Sequence, residues 1–172
     1  MLRPVNMNYE DRTDLLAPEA VVSGDVLERL AIPADEAVRL MFDAARDPSA
    51  THASAAAREV IEARVQEDTV PAQGAPAEAA AIETDAMLCG YRFGRLALGE
   101  PGEAVVAPSD LRERVDGMYL YALDRWGSVS ALEQVLARHP GAHTAALDEA
   151  AAWAWSYGLG LAVVETDLAQ QQ

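Results

Sequence analysis

AEAAAIETDAMLCGYRFGRLAL, residues Ala77 to Leu98, is the stretch whose reading decides the fold. Ala79, Ile82, Ala86, Cys89, Phe93 and Leu96 recur at helical spacing. Met87, Leu88 and Tyr91 widen that stripe. A helix apolar over so much of its circumference belongs at the centre of a bundle. Gly99-Glu100-Pro101-Gly102 ends it.

The same stretch carries small residues every four positions: Ala86, Gly90 and Gly94. Such a stripe is a groove that lets another helix approach closely. A glycine inside a helix costs about 1 kcal/mol relative to alanine, so two of them call for a compensating contact. The partner is either another helix of this chain or one from outside, which makes the stripe a candidate interaction surface. Arg92 and Arg95 flank Phe93 and are candidate contacts for an acidic ligand. The many carboxylates of the chain compete for them.

Upstream, a helix is expected from about Pro33 to Arg46. Pro33 suits the first turn, and Asp35 and Glu36 sit at the positive end of the helix dipole. Ala34, Ala37, Val38, Met41 and Ala45 are its expected inner stripe. A second helix is expected from about Ser49, as N-cap, to Glu67, with Ala53, Ala57, Val60, Ile61 and Val65 inward. Two prolines and a glycine near residues 69–76 predict a flexible loop. Residues 1–30 read as an irregular, partly extended apolar arm, with a short helix from about Asp25 to Leu30. Such an arm lies across its own domain or across a neighbour.

Downstream, a helix is expected over about Ser109 to Trp126, with Asp110 and Glu113 at capping-box spacing. Ser130 opens a short helix to about His139. Thr144 caps a last helix reaching at least Tyr157, after which Gly158 and Gly160 break the pattern. Leu159 to Val164 then reads as a further helical turn or a short strand. Together these predict an all-α fold: five to six helices in a bundle or orthogonal array over residues 31–172, preceded by the arm.

Aromatic residues cluster late in the chain. Tyr119 and Tyr121 point to different sides of one helix, as do Trp153 and Trp155 of another; Trp126 and Tyr157 complete the set. One member of each pair is expected off the main core face. It would anchor a neighbouring segment or line a binding surface.

Charge and composition bound the function. The chain has 172 residues and a net charge of −15. That balance opposes direct binding to nucleic acid and to anionic lipid, and favours partners with basic patches. All 13 bases are arginine, so no lysine is present for a Schiff base. Cys89 is the one cysteine, which excludes an internal disulfide and fits a reducing, cytoplasmic setting. The longest apolar run near the C-terminus is too short to span a bilayer.

Catalytic and metal signatures are missing from the sequence. No Glu-x-x-His motif accompanies Glu59 and Glu62, so a di-iron site is not expected. Cys89 sits among apolar neighbours, where thiols are inert core residues. His139 closes a helix, where the dipole accounts for it. No catalytic residue, cofactor or metal is therefore assigned. The expectation is a non-catalytic helical accessory protein that binds another protein or a second copy of itself. One alternative is a small-molecule-binding regulatory domain with an apolar interhelical pocket, oriented by Arg92, Tyr119 and Trp126. Another is an acidic mimic of nucleic acid that occupies a basic groove.

Overall fold

The computed structural model describes residues 22–46, 53–69, 77–99, 107–117, 135, 137–139 and 145–170. Six helices order these residues: α1 (Gly24–Arg29), α2 (Ala34–Arg46), α3 (Ala55–Thr69), α4 (Ala77–Leu98), α5 (Pro108–Asp116) and α6 (Ala145–Gln170). All regular structure among the described residues is helical, as the all-α reading expects.

The axis of the fold is the pair α4 and α6, which share by far the largest interface. α2 and α3 pack on α4, α5 bridges α3 and α6, and α1 touches both α4 and α6. α4 has the bounds its sequence predicts. It stops at Leu98 because Gly99 takes φ +84, the left-handed conformation that closes a helix C-terminus.

α6 corrects the sequence reading. It runs unbroken through Gly158 and Gly160 to Gln170, so of the two readings of residues 159–164 the helical one holds and the strand does not. Every residue from Trp153 to Asp167 is buried. Glycine's helix penalty of about 1 kcal/mol is small against burial worth roughly 1.5–3 kcal/mol for each large apolar side chain. Leu159, Leu161, Val163 and Val164 supply that burial on all sides of the helix. The innermost helix is thus α6 together with α4, where the sequence singled out α4 alone.

Residues 22–30, the end of the expected arm, pack on their own chain. Val22, Val26 and Leu30 are buried, and the Ser23 N–H donates to Asp167 Oδ1 at 3.1 Å. The Arg29 guanidinium donates to the Leu98 carbonyl, tying α1 to the end of α4. The earlier part of the arm, the loop at 70–76, the Ser49 cap and most of the segment between α5 and α6 lie outside the described residues.

Smaller corrections concern helix bounds and faces, beginning with α5, which was expected to reach Trp126 and ends at Asp116 with Gly117 as its C-cap. α3 begins at Ala55, and Ser54 caps it by accepting the Ala57 N–H at 3.1 Å. α5 begins with Pro108 at its first turn and has Ala107 as cap, with no side-chain capping bond. Proline's fixed φ and missing N–H suit that position, so Asp110 is already inside the helix. In α2 the inner stripe is Ala37, Leu40, Met41, Ala44 and Ala45. Val38 faces outward, because Leu40 and Ala44 complete a wider apolar face than the one through Val38.

Candidate functional site

The small-residue stripe of α4 is filled from within the chain. A Cβ on Gly90 would lie 1.9 Å from the Trp155 carbonyl oxygen, and one on Gly158 would lie 1.9 Å from the Met87 carbonyl oxygen. At Gly94 it would meet Ala162 Cβ at 2.6 Å. The two helices therefore touch backbone to backbone, and Ala86 is fully buried beside them. The signal that could have named α6 as the partner is present in the sequence: Ala154, Gly158 and Ala162 form a second stripe with the same four-residue step.

The late aromatics that are described are core residues, not surface. Trp153, Trp155 and Tyr157 are each at most 2% exposed. Trp155 packs on Phe93 of α4, with ring centroids 5.2 Å apart. Trp153 and Tyr157 lie on the other side of α6, 5.5 Å from each other. There the Arg64 guanidinium covers both rings, 4.6 Å from Trp153 and 5.3 Å from Tyr157. The Tyr157 hydroxyl donates to Asp116 Oδ1 at 3.1 Å. Arg112 pairs with Glu67, holding that carboxyl below its ordinary range, and so ties α5 to α3. Neighbouring helices α3 and α5 thus cover the side of α6 that lies off the α4 seam. Tyr119, Tyr121 and Trp126 lie outside the described residues.

One buried polar network crosses the α4–α6 seam. Glu165 is fully buried and accepts from the Tyr91 hydroxyl, the Ser54 hydroxyl and Arg95 Nη1, the last at 3.1 Å. Arg95 thus turns to the chain's own carboxylate, and Arg92 is half-buried on the same helix. Ser54 uses its hydroxyl twice, capping α3 and donating to Glu165. Burial holds the Tyr91 phenol well above its ordinary range. Burial also pushes the Cys89 thiol up to about 12, which leaves it protonated and unreactive at neutral pH.

No family model, curated protein or solved structure matches the chain.

What remains accessible lies on α2 and beside α4. Among the described large apolar residues, Val38 and Phe42 stand exposed, at 38% and 50%. They are one turn apart on the outer face of α2. Around them Arg39 pairs with Glu36 at 3.7 Å and with Asp43 at 3.8 Å, and Arg46 also pairs with Asp43. Beside α4, a shallow open recess of about 530 Å³ lies between Thr84, Leu88 and the segment Arg138–His139. Asp85 sits in its wall and accepts from Arg138 Nε at 2.9 Å; the same oxygen, Oδ2, lies 2.7 Å from His139 Nε2. Neither place was singled out by the sequence, because Phe42 reads as an ordinary helix residue and Asp85 meets Arg138 only in three dimensions. Among the described residues no three His, Cys, Asp or Glu side chains gather as a metal site would require, and no helix is long and apolar enough to cross a membrane.

Proposed function

We propose that this chain is a helical accessory protein that works by binding another protein, and that the outer face of α2 is the contact. The observation that carries this is Phe42. Tyr91, Phe93, Trp153, Trp155 and Tyr157 are all buried to 2% exposure or less, while Phe42 is half exposed with Val38 beside it. A half-exposed phenylalanine among paired charges has the make-up of an interface centre: an aromatic anchor inside a polar rim.

The occupant proposed is a different protein with an apolar pocket and a cationic rim. Acids outnumber bases on and around the face, at Asp35, Glu36 and Asp43 against Arg39 and Arg46. The chain as a whole carries −15, which repels a second copy and attracts a basic surface.

The test is retention of a partner from native extract by wild type and by Phe42→Ser, with light scattering on both. A basic protein held by wild type, released at raised salt and lost with Phe42→Ser supports the proposal. A wild-type dimer that Phe42→Ser dissociates would replace it with self-association. Equal retention by both forms would remove α2 as the contact.

A further inference from the structure

We propose that the recess beside α4 binds a small organic monocarboxylate, with Arg138 gripping its carboxylate and the α4 flank receiving its apolar body. This site is separate from the protein-binding face at Phe42 and does not depend on it.

The first reason is the state of Arg138. Its Nε donates to Asp85 Oδ2 at 2.9 Å and its Nη1 to the Ala45 carbonyl at 2.8 Å. A guanidinium has five N–H donors, so two anchors fix the plane and leave Nη2 and one N–H of Nη1 with no partner among the described residues. Nη2 thus keeps both of its N–H groups for a carboxylate oxygen, a charge-assisted hydrogen bond. The side chain is 41% exposed, so it is held in place yet open to a ligand. Loss of side-chain freedom, a main cost of gripping a ligand, is already met in the unbound protein.

The second reason is the local charge. Asp85 Oδ2 faces both Arg138 and His139, and offsets the guanidinium. One carboxylate stands against one guanidinium, so the open N–H donors of Arg138, and not a surplus of charge, would hold the ligand. That suits a single negative charge and is poor for a phosphate dianion. The strongly acidic chain opposes polyanions further.

The third reason is shape. Ala80, Ala81 and Leu88 supply an apolar wall on one face of α4, with the Thr84 hydroxyl between them and the charged end. This is an open recess of about 530 Å³ and not an enclosed site, so a ligand would lie along the wall with one side in water. One fixed polar anchor at an apolar wall is the arrangement that orients an amphipathic acid.

The experiment is an NMR titration of the full chain with hexanoate, with hexanamide and with inorganic phosphate. Saturable shifts of the Leu88, Ala80 and Ala81 methyls with hexanoate are expected, and much weaker ones with the other two. Arg138→Gln should weaken hexanoate about tenfold or more, the loss of a charge-assisted pair. Because Arg138 also anchors its own segment, Ala81→Leu provides a second variant. It fills the wall from an exposed helix position, leaves every charge in place, and should block the ligand. Hexanamide binding as tightly as hexanoate, phosphate shifting the same methyls equally, or no saturable shift at millimolar hexanoate would each overturn the proposal. Unchanged affinity in either variant would do so as well.

Discussion

α6 and α2 are both long, alanine-rich helices, and they are held in opposite ways. α6 is buried on every side from Trp153 to Asp167, its backbone in contact with α4 at Gly90 and Gly158. α2 buries one stripe and leaves Val38 and Phe42 to solvent. Its exposed charges pair with one another along the helix. The difference shows where this molecule is intolerant and where it has room to act. On α6 the fit is set by atoms that cannot move, the carbonyls of Met87 and Trp155. On α2 the outer face leaves Val38 and Phe42 largely uncovered by the described residues.

The largest effect is expected at Glu165. Replacing it with alanine leaves Arg95 buried without its carboxylate, which costs about 3–5 kcal/mol in urea unfolding. Adding Arg95→Met should recover most of that loss. A cost near that of a surface ion pair, below about 1 kcal/mol, would mean that water reaches the seam and that α6 is no more enclosed than α2.

Gly158→Ala comes next. No rotamer relieves a Cβ placed 1.9 Å from the Met87 carbonyl, so a loss of about 3 kcal/mol is expected. Gly24→Ala is the control, since nothing lies within 4 Å of its Cβ position; stability should hold or rise by up to about 1 kcal/mol. If both glycines tolerate alanine equally, the backbone contact between α4 and α6 does not set the packing.

Alkali should separate the two regions further. Burial raises the pKa of Cys89, Tyr91 and Tyr157, all on the α4–α6 side of the molecule. The unfolded thiol and phenols ionise near their ordinary values while the folded ones stay protonated. Stability is therefore intact below about pH 9 and falls as pH climbs past 9 and then 10. Hydrogen exchange in α6 should quicken more steeply with pH than in α2, because α6 opens only with the seam, and Cys89 should resist alkylation at neutral pH until then. Fast native labelling of Cys89 would contradict the burial that defines the seam.

The smallest effect on stability is expected at Phe42. Phe42→Ser should change unfolding by no more than about 0.5 kcal/mol, as at an ordinary surface position. A loss of several kcal/mol would make Phe42 a core residue and would erase the contrast with α6.

Most of the architecture was legible because local rules act within a few residues. The bounds of α4 follow from its apolar period and from Gly99, and α2 keeps its acidic start and basic end. The inert thiol of Cys89 follows from its apolar neighbours. The candidate sites were much less legible. Trp153, Trp155 and Tyr157 read as surplus rings, yet Arg64, Asp116 and Phe93 approach them from helices distant in sequence. Val38 read as core because two overlapping apolar faces compete on α2, and only packing chooses between them.

The sequence by itself determined that the chain is helical, where α1, α2 and α4 begin and end, and which charges and small residues each helix carries. Periodicity, caps and breakers suffice for that, since they are properties of one segment. Tertiary structure alone decided that α6 runs through its glycines, that its stripe meets the stripe of α4, and that Arg95 faces Glu165. Those outcomes depend on burial shared between segments far apart in the chain. That burial outweighs the helix propensity any one segment expresses alone.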